Sequence, residues 1–292
     1  MFRKMLVLVR GADLAQPAVQ RAALLAGRNT RVALLDLVHE PMLDSYMGNA
    51  AIYEPLRARV VAERAEQVQR LVAALNDRGS DAEGKAVWDH PLDEAVTREV
   101  VAQNADVVVI APGPQGAGLT HNEWRLVVTC PVPVLVVKTP VHTKYRHIVA
   151  AVDPFHAHSK PGELDLAILA QARDLQARTR ATLSALHCFV PFEHLGSDLT
   201  IPVGNAFAAD ARREEVKKLL RLAGLATAAA RVEIGPTHEV VDRLAERGEA
   251  DVVVMGVLAR SRIKEWLIGS TAERVLHGAP IDVLAVKTAH LR

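Results

Sequence analysis

The stretch ADVVVIA, Ala105 to Ala111, returns 145 residues later as ADVVVMG, Ala250 to Gly256. An aspartate followed by an unbroken apolar run that ends in a small residue reads as a strand covered on both faces, the pattern of a parallel sheet between helices. Upstream, Phe2-RKMLVLV parallels Tyr145-RHIVAAV, and downstream PVPVLVVKT from Pro131 parallels PIDVLAVKT from Pro280. Between them, Val68, Leu71, Val72 and Leu75 repeat as Val216, Leu219, Leu220 and Ala223. That spacing makes one apolar helix stripe. The chain is therefore one α/β unit written twice.

The two copies stay almost in step. Arg3 matches Arg146, Asp106 matches Asp251 and Lys138 matches Lys287, so the offset grows from 143 through 145 to 149. The last four added residues fall after the fourth strand, in the turn between residues 256 and 271. The pattern predicts strands near 4–9, 31–38, 84–88, 106–110 and 134–137, and again near 147–152, 182–188, 231–234, 251–256 and 281–286. Helices over 54–76 and 209–225 are examples of the segments between them. Strand and helix alternate, so each copy is an α/β, Rossmann-like unit with a parallel sheet and helices on both faces. The polar stretch Thr139-PVHTKY-Arg146 separates a first domain, 1–140, from a second, 145–292. Residues 39–53 and 189–208 are equivalent long connections after each second strand, readable as cleft covers or as plain surface loops.

Composition bounds the function. The 292 residues are 50% hydrophobic but only 4% aromatic, so aliphatic side chains must fill the cores. Lys and Arg number 35 against 34 Asp and Glu, a balance that excludes a broad nucleic-acid footprint. Cys130 and Cys188 fall in different copies and read as reduced thiols. Met1-Phe-Arg-Lys4 leads straight into a short strand and not into a signal sequence, and no apolar run reaches the ~20 residues of a membrane span. A cytoplasmic protein without a membrane association is expected.

Ligands of such sheets bind at the carboxyl ends of the strands, where strand order reverses. There the second copy carries Gly256-Val-Leu-Ala259, then Gly269-Ser-Thr271 at the start of its last helix. Unpaired amides of Gly269, Ser270 and Thr271, with the helix dipole behind them, would suit a phosphate. Arg260, Arg262 and Lys264 lie within reach in the loop. A structural reading competes: Ser270-Thr-Ala-Glu273 is also a capping box. Asp153, ending the first strand of this copy, could hold a ribose hydroxyl or simply cap the turn at Pro154. The first copy has Arg10 at the place of Asp153, Ala111 and Pro114 at the places of Gly256 and Ala259, and Thr120-His-Asn-Glu-Trp124 before its last helix. No nucleotide site of the same kind is expected there.

These residues resemble the universal stress protein family, whose nucleotide signature G-x-x-G, nine residues, G-S/T is met by Gly256, Gly269 and Ser270 and departed from at Ala259. The tandem layout, with Trp88 and Trp124-RLVVTC-Pro131 in a degenerate first copy, resembles the E-type tandem members. The resemblance implies adenine nucleotide alpha hydrolase-like domains with five parallel strands in the order 3-2-1-4-5. It implies pairing of the two domains through their last strands, and a further homodimer is compatible with it. It also implies ATP or another adenine nucleotide, with Mg as a companion ion. The base would lie near Val152, Asp153 and Cys188, after the Leu186-His187 pair, and the phosphates on Gly256, Ala259, Arg260, Gly269, Ser270 and Thr271. Binding in a stress-response regulator is expected, not catalysis, although slow ATP hydrolysis stays open. The alternatives are a nucleotide-sugar or lipid in a degenerate ATP site, or zinc on His156, His158, His187 and His238 with Cys188 nearby.

Overall fold

The structure, a computed structural model, describes residues 2–113, 118–138, 144–155, 162–190, 205–257, 259–262 and 265–288, with only the backbone of 205–208, 259–262 and 265–268. It forms two compact units, Met1–Lys144 and Tyr145–Arg292. Unit 1 runs β1 (Lys4–Leu8), α1 (Pro17–Leu25), β2 (Arg31–Val38), α2 (Pro41–Asp44), α3 (Ala50–Asp77), β3 (Asp81–Trp88), α4 (Leu92–Gln103), β4 (Val107–Ile110), α5 (His121–Thr129) and β5 (Val134–Val136). Unit 2 runs β6 (His147–Ala151), α6 (Gly162–Thr179), β7 (Thr182–Phe189), α7 (Asn205–Leu222), β8 (Ala229–Ile234), α8 (Thr237–Glu246), β9 (Val252–Gly256), β10 (Ala259–Arg262), β11 (Glu265–Ile268), α9 (Ser270–Gly278) and β12 (Asp282–Val286).

All strand pairs of the main sheets are parallel, in the order β3-β2-β1-β4-β5 in unit 1 and β8-β7-β6-β9-β12 in unit 2. Each is the expected order 3-2-1-4-5. The strands that read as unbroken apolar runs are the covered ones: β4, β5 and β12 are buried at every residue. The stripe of α3 packs as its spacing predicts, with Val68, Leu71 and Leu75 buried, and Val216 and Leu220 do the same on α7. The aspartate that opens both copies of the quoted phrase has a structural task. Asp106 Oδ2 accepts the amides of Arg3 and Lys4 at 2.6 and 2.9 Å, and Asp251 Oδ2 accepts those of Arg146 and His147 at 2.6 and 2.8 Å.

One sequence expectation needs correction. The stretch between Gly256 and Gly269 is not an unstructured loop throughout: β10 and β11 form an antiparallel ribbon, Ala259 facing Ile268 and Arg262 facing Glu265. Ala-Arg-Ser-Arg shows no apolar alternation, so its pairing was hidden, whereas Trp266, Leu267 and Ile268 favour extended backbone on their own. Of the two long connections, residues 41–44 are the short helix α2, and 191–204 lie outside the described residues.

Candidate functional site

Helix α9 begins without a side-chain cap. Gly269 is its N-cap residue, with φ −59° and ψ 135°, and Ser270 is already the first helical residue. The capping box read from Ser270 and Glu273 therefore does not form, because the helix starts one residue earlier than that motif needs. Glu273 N–H donates to Gly269 O at 3.1 Å, the ordinary first helical bond. Among the described residues no acceptor serves the amides of Ser270, Thr271 and Ala272. A side chain added at Gly269 would meet nothing within 4 Å. Amides without acceptors, a positive dipole end and the open space beside Gly269 together suit an anion.

The equivalent end of α5 in unit 1 is capped. Thr120 is the N-cap, and Glu123, at the third helical position, completes a capping box. Glu123 Oε2 accepts the Thr120 amide at 2.7 Å and its hydroxyl at 2.9 Å, and Glu123 N–H donates to Thr120 Oγ1 at 3.3 Å. Arg10 then donates to Glu123 Oε1 at 2.7 Å. Glu123 is only 2% exposed. The carboxylate thus takes the N-cap amide and the threonine hydroxyl takes the third helical amide, and Arg10 neutralises the carboxylate. Unit 2 has changed all three partners, with Asp153 for Arg10, Gly269 for Thr120 and the small, buried Ala272 for Glu123.

The other predicted residues are placed less simply. Gly256 serves packing: an added Cβ would come within 2.6 Å of Leu164 Cδ2, so the glycine lets α6 lie close on β9. Ala259 sits in the β10 ladder, an extended backbone that alanine adopts freely. Arg260 lies in the same strand; its side chain, and those of Arg262 and Lys264, lie outside the described set. Val152 is buried, and its amide donates to Leu186 O at 2.9 Å. The Asp153 amide donates to Asp165 Oδ1 at 3.1 Å, and Asp153 Oδ1 accepts the Phe155 amide at 3.3 Å. The aspartate therefore does cap its turn, yet its side chain keeps 24% exposure at the sheet edge. Asp165, fully buried on α6, is a positioning residue that the sequence did not reveal, since it lies beyond the described turn and in no motif.

His187 and Cys188 are neighbours on β7 and so face opposite sides of the sheet. His187 Nδ1 lies 3.3 Å from the Val152 carbonyl and 3.8 Å from Asp153 Oδ1, and its ring meets Phe155 at 5.3 Å. Burial pushes its pKa down, although the Val152 carbonyl pulls the other way. Burial drives the Cys188 thiol up to about 12, against a hydrogen bond from Thr237. That thiol stays protonated and inert at neutral pH. Cys188 consequently cannot join His187 around one ion. His156 and His158 lie outside the described residues, and His238 stands on the first turn of α8, 4.0 Å from Glu239. Among the described residues no group of three His, Cys, Asp or Glu side chains could hold a metal.

Two cavities open at the opposite edge of unit 2, one lined by His147, Thr182, Arg231 and Glu249, the other by Lys217, Leu220 and Arg221. Arg231 and Glu249 already pair at 2.6 Å, and helices present their negative ends there, so neither suits a phosphate. No helix among the described residues is long and apolar enough to cross a membrane.

Comparison with known proteins agrees with this architecture. The model of the universal stress protein family matches residues 1–138 and again 144–287. The chain is 23% identical to universal stress protein E of Photorhabdus laumondii, covering 98% of this chain and 95% of that one. It is 24% identical to universal stress protein E of Escherichia coli K12, covering 98% and 94%. Among solved structures, a functionally unknown protein of Pseudomonas aeruginosa PAO1 aligns with a TM-score of 0.72 at 24% identity, over 99% of this chain and 94% of that one. A universal stress protein of Archaeoglobus fulgidus aligns with a TM-score of 0.62 at 17% identity, over 98% of both.

Proposed function

The chain belongs to the universal stress protein family as a tandem of two such domains, and on that premise we propose that its second unit binds a nucleotide while its first does not. The observation that carries this is the uncapped amino end of α9, against the capped end of α5. The phosphates would rest on the amides of Ser270, Thr271 and Ala272, the ribose would lie toward Asp153, and the base toward β7. ATP is the reference ligand, with Mg as its companion ion. Each added phosphate strengthens the attraction to the helix end, so affinity is expected to fall from ATP through ADP to AMP.

The site is read as one for binding, not turnover. His187 is buried, held on a backbone carbonyl and kept neutral, so it is badly placed to exchange protons with solvent. Its cellular role as a stress-response regulator in the cytoplasm belongs to the same reading. Calorimetric titration of the full chain with ATP, ADP and AMP tests it. Gly269→Val adds a side chain into open space at a backbone conformation valine accepts, so the fold should survive while affinity drops at least tenfold. Absence of heat with all three nucleotides, or equal affinity in the variant, would refute the proposal.

A further inference from the structure

Arg212 on α7 is held between two aromatic rings, its Cζ 4.8 Å from the centroid of Phe155 and 4.5 Å from that of Phe189. The rings hold the guanidinium near the carboxyl ends of β6 and β7. Among the described residues it has no ion pair, and its buried Nε finds no hydrogen-bond acceptor, a lack that Arg64 Nε shares. Its counterpart in unit 1 is different. Arg64 and Arg212 each stand four residues before the matched valines Val68 and Val216. Arg64 Nε lies 2.9 Å from Asp36 Oδ2 and its Nη2 donates to Asp36 Oδ1 at 3.1 Å. Asp36 is the sixth residue of β2, and the sixth residue of β7 is His187. Unit 2 has therefore kept the arginine and lost the carboxylate that would satisfy it.

Two further observations mark this spot as one that faces a ligand. Phe155 is 45% exposed, directly after the turn at Asp153, and an exposed ring can serve as a stacking platform for a base. His187 is 5% exposed, yet its Nε2 has no partner among the described residues. A guanidinium offers only donors, arranged as a planar fork. The group it lacks is a flat edge with two acceptors. A second anion fits poorly, because the Asp153 carboxylate lies 3.8 Å from the His187 ring that touches Phe155.

We propose that Arg212 reads the base of the nucleotide and selects a 6-oxopurine over adenine. Guanine and hypoxanthine present N7 and O6, two acceptors side by side, whereas adenine presents N7 beside an amino donor that would oppose the guanidinium. This rests on the nucleotide reading above and departs from the adenine that the family resemblance implies. The experiment is a parallel calorimetric titration of the full chain with ITP, GTP and ATP. ITP keeps the phosphates and sugar of ATP and changes the base edge. Wild-type protein should bind ITP and GTP about tenfold more tightly than ATP. Arg212→Met should bring ITP within about threefold of ATP, mainly by weakening ITP, and Arg212→Gln, whose amide matches N7 and the adenine amino group, should turn the preference toward ATP. Equal binding of ITP and ATP by wild-type protein overturns the base assignment while leaving the phosphate site standing. Equal weakening of all three nucleotides by Arg212→Met also overturns it, because the arginine would then serve phosphate or fold. No binding of any nucleotide overturns both readings.

Discussion

The two units agree at one edge of their sheets and disagree at the other. At the amino edge Asp106 and Asp251 make the same pair of bonds to the same two amides. At the carboxyl edge unit 1 pairs its charges from within at two places, Arg10 with Glu123 and Arg64 with Asp36. Unit 2 keeps Arg212, replaces the acids by Ala272 and His187, and leaves the amides of α9 open. One fold can thus pair the polar groups at its strand ends from within or leave them without partners, and a few substitutions at those ends decide which.

The sharpest test of that contrast is the arginine on α3 and on α7. Arg64→Met would strand Asp36, which is only 1% exposed, and removal of one partner of a buried pair costs about 3–5 kcal/mol. The lower end is expected here, since about a third of the Arg64 side chain faces water. Arg212→Met strands no charge and loses only its contacts with two rings, about 1 kcal/mol. Urea unfolding of both variants measures the difference. Equal losses would break the claim that only unit 1 uses this arginine for stability.

Next in size is the helix end. Glu123→Ala removes the buried carboxylate that joins Thr120 to Arg10, a loss of about 2 kcal/mol. Arg10 is 57% exposed at its side chain, so it returns to solvent without a further penalty. Within the same pair of helices, Thr120→Ala is expected to cost about 1 kcal/mol and Ser270→Ala less than about 0.5 kcal/mol, because only the threonine caps. Thermal melts of the three variants rank them. A Ser270→Ala loss as large as that of Thr120→Ala would mean that Ser270 is a cap after all.

The fold was legible because its signals are local and repeated. Apolar runs of valine mark strands buried on both faces, and the doubled phrase located the same element twice. The open end of α9 was partly legible: Gly269 and Ser270 announced it, but the choice between cap and cradle turned on a one-residue shift of the helix start, which no spacing rule fixes. The rest depends on pairs distant in the chain. Glu123 meets Arg10 across 113 residues and His187 meets Val152 across 35. Arg212 carries no motif, and it became visible only when the ladder showed His187 standing where unit 1 has Asp36.

The smallest expected effect concerns that exchange of aspartate for histidine. The His187 pKa is lowered by burial from its ordinary 6.5. The unfolded chain therefore takes up a proton as pH falls through 6.5, while the folded chain resists until its own lower pKa is reached. Between those values the unfolded state holds more protons, so stability falls with falling pH and is fully regained above 6.5. Unfolding of wild type at pH 7.5 and 5.5 should differ by more than the same comparison in His187→Gln, by about 1 kcal/mol or less. Glutamine can still donate to the Val152 carbonyl but has no proton to take up. If the pH slope of His187→Gln matches that of wild type, His187 titrates as freely as a solvated histidine. The neutral, buried imidazole that separates the unit 2 edge from the charged pair of unit 1 would then not exist.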